Sequence, residues 1–310
     1  MLPPEVFIDA LIYSNLLSLL AIGLTLTYLT LKVPNFAYGD LATIGIYVAF
    51  TFNEFYSLHP YLTPPLAFIT AGLVSLASYI LVFRPLWRRE SSIVTLMIAS
   101  IAVEIALRSM IHIYASALGL RRRVSLARFD EPVSIASLEL PSVLLATTLT
   151  AITLVCSLYL FLNKTKFGTA MRAAIENPYL ASTLGINVEQ VYAVSWFLAG
   201  GLAGVAGLFL PFRISATPET GWELLLRIFA ASVLGGLNSI FGAILGGYIT
   251  GFAEVVGIYL LSRPPLNIST AYRPAIPFAL FIVVLLVLPQ GITGINWRRL
   301  KRKILRGEKE

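Results

Sequence analysis

The run Val6–Leu31, "VFIDALIYSNLLSLLAIGLTLTYLTL", carries a single charged residue, Asp9. It exceeds the roughly 20 apolar residues that a helix needs to cross a bilayer core. The pattern recurs along the chain, over about 38–57, 63–83, 92–114, 140–162, 190–211, 223–236, 239–261 and 274–289. Lipid offers no hydrogen-bond partners, so a spanning segment must satisfy its own backbone. The period-two alternation of a barrel strand is missing, which leaves helices. Composition agrees: 13% of the 310 residues are charged, where a soluble domain has about 25%. The expectation is one all-α polytopic integral membrane domain over 1–310, with eight to ten transmembrane or re-entrant helices.

Charge sets a sidedness. Lys32 and the basic stretch Arg84–Glu90 suit a cytoplasmic face, which puts the N-terminus outside and makes Val6–Leu31 a retained first helix. Two further crossings bring 163–190 inside, in agreement with Lys164, Lys166 and Arg172. The tail "WRRLKRKILRGEKE", 297–310, holds seven basic and two acidic residues, hence +5 of the formal +7. It reads as cytoplasmic flanking sequence and not as a nucleic-acid site. A cytoplasmic tail requires that 223–261 break at "GGLNS", Gly235–Ser239, leaving a short first piece that is tilted or re-entrant. The loop holding Arg121, Arg122, Arg123 and Arg128 falls outside on this map, against the usual bias of basic residues.

Small residues recur four apart in the second half, at Gly200–Gly204, Ala203–Gly207, Gly242–Gly246 and Gly247–Gly251. Such faces let membrane helices approach closely. Asn35, Gly39 and Gly45 are echoed by Asn238, Gly242 and Gly246, an interval too short to establish an internal repeat.

Ionisable residues inside spans are expensive and therefore informative. Glu104 and Arg108 share a helix face, with His112 extending the stripe, and Glu223 and Arg227 repeat the i,i+4 spacing. Both are expected as neutralised pairs, while Asp40 and Glu254 have no evident local partner. There is no GxxxxGK[ST] phosphate loop, no HExxH and no CxxC. Any ATP chemistry therefore belongs to another chain, no catalytic residue or metal site is expected, and Cys156 is read as a packing residue. A self-contained ion-coupled carrier or channel remains the alternative, with Asp40, Glu104 or Glu254 holding the ion.

The polar stretch "TAMRAAIENPYLASTLGINVEQ", Thr169–Gln190, is out of character with its surroundings. Good helix formers run to Glu176, and Asn177–Pro178 ends that segment. A second short helix fits Pro178–Leu184, with Pro178 at its first position and Gly185 as its left-handed cap. Ala170, Ala173 and Ala174 offer a small-residue surface.

This stretch, continued through "VYAVSWFLAGGLAGVAGLF", resembles the cytoplasmic loop and next helix of permease subunits of branched-chain amino-acid ABC importers, the Liv type. "VPNFAYGDLATIGIYVAF", "ASVLGGLNSIFGAILGGYITGFAE" and "PFALFIVVLLVLPQGITG" are similar to that family's other signatures, and the four stand in the family's order over essentially the whole chain. Tyr38, Asn238 and Phe241 depart from its frequent histidine, glycine and proline. The resemblance implies a type II importer-like permease of the prokaryotic cell membrane for branched-chain amino acids or a related small polar solute. Its implied partners are a second homologous permease, more often a heterodimer than a homodimer, two cytoplasmic ATPases carrying ATP and Mg, and an extracytoplasmic solute-binding protein.

On that reading Arg172, Ala173, Ala174, Glu176, Asn177, Pro178, Leu184, Gly185 and Ile186 form the coupling surface within 163–190. Candidate pathway or helix-packing residues in the first half are Asn35, Phe36, Gly39, Asp40, Gly45, Glu104 and Arg108. In the second half they are Gly235, Gly236, Asn238, Gly242, Gly246 and Glu254.

Overall fold

The computed structural model describes residues 3–119, 123–135, 138–288 and 291–294. Arg121, Arg122 and the basic tail 297–310 lie outside the described residues. In chain order the helices are α1 (Pro4–Leu31), α2 (Tyr38–Tyr56), α3 (Pro64–Ser78), α4 (Arg84–Arg88), α5 (Ile93–Ala117) and α6 (Ser142–Lys164). They continue as α7 (Lys166–Glu176), α8 (Pro178–Thr183), α9 (Val188–Phe209), α10 (Thr220–Gly235), α11 (Ile240–Leu261) and α12 (Ala275–Val287). A π-turn, Tyr79–Phe83, joins α3 to α4, so Pro64–Arg88 forms one continuous rod.

Among the described residues, seven segments are long and apolar enough to cross a membrane: α1, the α3–α4 rod, α5, α6, α9, α11 and Thr270–Gly294, which contains α12. Adding α2 and α10 gives nine membrane segments among the described residues, each close to an apolar run of the sequence. At 1.5 Å per residue α10 is about 24 Å long, less than the roughly 30 Å hydrocarbon core. It can sit there because neighbouring helices bury its backbone. Outward faces of α5, α6 and α12 are covered by exposed Ile101, Ile105, Leu149, Ile152, Ile282 and Leu286, an apolar belt suited to lipid. Cys156, read from the sequence as a packing residue, is exposed on α6.

Four helices build the middle of the bundle through small residues. α1 runs antiparallel to α11, where Gly247 faces Ser18 and Gly251 faces Ser14. α3 runs antiparallel to α9, where Gly200 faces Ala71 and Ser75, and Gly204 faces Ala67. α1 and α9 are themselves antiparallel, since Thr30 meets Trp196 while Asp9 meets Arg213. Between these pairs, α2 and α10 touch at their first turns. A Cβ on Gly39 would lie 2.2 Å from the Gly221 carbonyl oxygen, and one on Gly221 would lie 2.4 Å from that of Gly39. This reciprocal contact marks a pseudo-two-fold relation of inverted halves, with α1 matching α9, α2 matching α10 and α3 matching α11. The echo noted in the sequence therefore pairs the wrong elements: Gly242 and Gly246 lie on α11, not on the counterpart of α2.

Both short helices start at depth. Tyr38, the first residue of α2, donates from its hydroxyl to the Ala199 carbonyl at 3.2 Å and lies against Gly23. Gly23 is about 12 Å short of the end of α1 at 1.5 Å per residue. The segment 32–37 thus turns back into the bundle before α2 begins. Lys32 caps α1 at φ 55°, and Asn35 closes the turn by accepting from the Ala37 N–H at 3.1 Å.

The two ends of the bundle differ. One carries α7 and α8, Lys32, the α10–α11 turn and Ile292–Gly294. The other carries the start of α1, the α9–α10 connection and a two-stranded antiparallel hairpin absent from the sequence expectation, β1 (Pro132–Ile135) and β2 (Leu138–Pro141). The connection from α5 to α6 is pinned there by the Val124–Ala216 bridge and by Arg213, which reaches Asp130 at 3.3 Å and Asp9 at 3.5 Å. Arg123 and Arg128 therefore lie at the end opposite α7 and α8, with Arg128 donating to Asn53 at 2.9 Å.

Candidate functional site

Where α2 and α10 meet, the bundle buries charge. Asp40, in the first turn of α2, is 1% exposed and neither of its carboxylate oxygens has a hydrogen-bond partner. Glu104 of α5 is 2% exposed and forms the expected pair with Arg108, at 3.2 Å. The Arg108 guanidinium also lies over the Trp222 ring of α10, 5.2 Å from its centroid. Phe36, in the re-entering segment, stacks toward Phe229 of α10 with centroids 5.6 Å apart, and its N–H donates to Ser100 at 3.3 Å. A cavity of about 550 Å³ opens alongside, between Phe36, the outward face of α10 and the start of α12.

The second expected pair does not form. Arg227 turns from Glu223 to Glu254 of α11, with its Nε 3.5 Å from Oε1. Glu254 is fully buried and also accepts from the Arg273 Nε at 2.8 Å. Local i,i+4 spacing made Glu223 look like the partner, whereas tertiary packing gives Glu254 two arginines and leaves Glu223 on the open face of α10. Removing one side of a buried pair strands the other, which is why such groups are held so firmly.

The remaining pathway candidates serve the backbone. Gly45 meets the Gly204 carbonyl, and Gly246 meets that of Ala231. Gly235 and Gly242 face each other across the α10–α11 turn, where Gly236 takes φ 98°. Asn238, in that turn, accepts from Lys32 Nζ at 3.4 Å, and Ser239 caps α11. These residues let helices meet; none of them presents a free polar group to a cavity except Asn238, at the bundle end beside Arg172 and Glu176.

The polar insert is a built corner. Thr165 caps α7 by accepting from the Gly168 N–H at 3.1 Å, and Gly168 lies against the Leu162 carbonyl. Asn177 ends α7 and caps α8, accepting from the Leu180 N–H at 3.0 Å, with Pro178 at the first helical position. Gly185 takes φ 83°, and the Ile186 N–H returns to the Ala181 carbonyl at 3.0 Å, closing the end. α8 stops at Thr183, one residue before the expected end.

The surface this corner presents differs from the alanine face read from the sequence. Ala174 is fully buried, its carbonyl accepting from Tyr192 Oη of α9 at 3.3 Å. Arg172 folds back onto Asn163 at 3.0 Å. What projects is apolar: Tyr179, Leu180 and Leu184 are 77%, 58% and 73% exposed. Tyr179 and Leu180 were not singled out in the sequence, although apolar residues inside a polar loop are the available signal.

A clamp carries this corner into the bundle. Glu189, in the first turn of α9, accepts from both Arg84 and Arg88 at the end of the α3–α4 rod, with Arg84 Nε at 2.8 Å. Just above, Tyr79 and Phe83 of the π-turn pack on Trp196, with centroids 5.6 and 4.6 Å away. Trp196 Nε1 in turn donates to Thr30 of α1 at 3.1 Å. Among the described residues no cluster of His, Cys, Asp and Glu fit for a metal is found.

Comparison with known proteins bears on this arrangement directly. The family model for the branched-chain amino acid transport system, permease component, matches residues 6–285. The chain belongs to this permease family. It is 44% identical, over 94% of its length and 93% of the relative's, to the probable branched-chain amino acid transport permease protein LivH of Methanocaldococcus jannaschii. It is 33% identical, over 89% of its length and 91% of the relative's, to the high-affinity branched-chain amino acid transport system permease protein LivH of Salmonella typhimurium. A shorter match, 32% identical over 43% of this permease and 41% of the relative, reaches the autoinducer 2 import system permease protein LsrC of Salmonella paratyphi B. No solved structure matches the permease. It is a multi-pass membrane protein, the membrane-spanning subunit of an ABC import system, a class that works with ATPase and binding-protein subunits.

Proposed function

We propose that this permease carries branched-chain amino acids into the cell and is driven through α7 and α8. The observation that carries the reading is the capped two-helix corner with its exposed Tyr179, Leu180 and Leu184, in a chain of the permease family. A rigid apolar tip on a solvent-side element gives a separate ATPase something to grip, and the Glu189 clamp gives its motion a route into α3, α9 and α1. Transmission of this kind needs contacts that differ between two states. The corner faces the cytoplasm, which puts the start of α1 outside and 291–294 inside. Two ATPase subunits hold the ATP and Mg, and this chain holds no cofactor. A second homologous permease completes the pathway as a heterodimer, and an extracytoplasmic binding protein delivers the solute.

The runner-up, an ion-coupled carrier, draws on Asp40, buried and without a hydrogen-bond partner. The solute itself is tested on the cognate binding protein purified without added ligand. Leucine, isoleucine or valine is the retained molecule expected by mass spectrometry. Retention of urea, a short amide or an unrelated solute contradicts the assignment.

A further inference from the structure

The cavity of about 550 Å³ beside α10 combines features that the pairing of helices does not require. Its wall is apolar and largely aromatic, from Phe36, Trp222, Leu226, Phe229 and Phe278. Glu223 and Arg227 also line it, one helical turn apart. Glu223 takes no ion pair or side-chain hydrogen bond among the described residues. Arg227 shares the carboxylate of Glu254 with Arg273, so two guanidinium groups face one anion there, and Glu223 a turn away supplies the balancing negative charge. The Arg227 Nε is buried and makes no hydrogen bond of proper geometry. The cavity thus holds a carboxylate and a guanidinium one turn apart that make no direct ion pair with each other, beside an apolar wall of aliphatic size.

We propose that this cavity is the amino-acid subsite of the permease. Glu223 receives the ammonium group, Arg227 the carboxylate, and the Phe36–Phe229 side the branched aliphatic chain. The assignment rests on the proposed import of branched-chain amino acids and adds the residues that recognise the solute. The chemistry excludes simpler occupants. An acyl chain has no use for two opposite charges, an inorganic cation none for Arg227, and an anion none for Glu223. A zwitterion with an apolar side chain satisfies all three surfaces; a zwitterionic phospholipid carries the same three groups, and its occupancy would leave a cysteine probe at position 226 insensitive to leucine. The volume falls within the about 300–1,000 Å³ usual for ligand pockets. Trp222 is held in place from behind by Arg108, itself tied to Glu104, so the wall is anchored to the buried charge cluster of α5.

The test uses the assembled importer in proteoliposomes, with Leu226→Cys as a probe in a Cys156→Ala background. Leucine at about nine times its half-protecting concentration is expected to slow modification of Cys at position 226 by a small methanethiosulfonate reagent about tenfold, as site occupancy requires. 4-Methylpentanoate, lacking the ammonium, and 3-methylbutylamine, lacking the carboxylate, are expected to leave the rate unchanged. Glu223→Gln, at an exposed position, is expected to abolish protection by leucine. Absence of leucine protection, or equal protection by the two analogues, overturns the subsite. So does a probe blocked in the assembly with and without leucine but open in the isolated chain, because α10 is then a seam between permeases. ATP-driven uptake of leucine in vesicles of the same importer without the probe separates the two readings. Its absence overturns the solute assignment, while uptake without protection overturns only this site.

Discussion

Gly221→Ala is expected to remove the folded permease from the membrane, and not merely to slow transport. The added Cβ would meet the Gly39 carbonyl oxygen at 2.4 Å and Thr43 Oγ1 at 2.6 Å. Thr43 Oγ1 is also the acceptor of the Gly221 N–H, at 2.8 Å, so relief by moving the helix breaks a buried hydrogen bond. The opposing surface is backbone, which cannot rotate away as a side chain can. Overpacking costs about 1–3 kcal/mol where side chains give, and a buried hydrogen bond lost adds about 1–3 kcal/mol. Gly39→Ala meets the mirror-image contact at 2.2 Å and is expected to behave alike. Gly257→Ala is the control, because its Cβ would meet only the tip of Ile276, at 3.1 Å. The measurement is monodisperse yield and thermal unfolding midpoint in detergent. Near-wild-type midpoints for Gly221→Ala and Gly39→Ala would remove the contact between α2 and α10 from the account.

The second large effect falls on coupling. Truncating the tip, Tyr179→Ala with Leu180→Ala and Leu184→Ala, is expected to lower ATP-driven uptake at least about tenfold, because anchors of this kind dominate interfaces. The unfolding midpoint is expected to stay put, since all three side chains project from the bundle. Gly185→Val acts on the same surface by another route. No atom lies within 4 Å of the added Cβ, so the cost is backbone strain alone at φ 83°, about 1–2 kcal/mol for an L-residue. That strain twists the junction between α8 and Ile186. Uptake assayed beside ATP hydrolysis reads the outcome, and unchanged uptake in the triple variant would sink the coupling assignment.

Much of the architecture was legible because membrane insertion writes itself into composition. Every apolar run became a helix, and the break at Gly235–Ser239 fell between α10 and α11. The caps at Asn177 and Gly185 were legible for the same local reason, since their chemistry acts within a few residues. What stayed hidden depends on contacts distant in the chain. Glu223 and Arg227 share a helix face, yet Arg227 reaches Glu254 on the next helix. Ala174 looked available until Tyr192 covered it. The inverted relation of the halves rests on Gly39 meeting Gly221, a match of geometry with little sequence behind it. The depth at which α2 begins was hidden too, because a re-entering segment is as apolar as a short loop at the surface.

The central claim is that this permease moves solute only when another chain supplies the work. Its most direct test is leucine uptake into vesicles holding either the purified chain alone or the chain with its second permease, ATPases and binding protein. The account predicts uptake by the full assembly that needs ATP inside the reconstituted cytoplasmic face and persists when ion gradients are collapsed. Uptake by the chain alone, driven by a proton or sodium gradient and lost with Asp40→Asn, would contradict it.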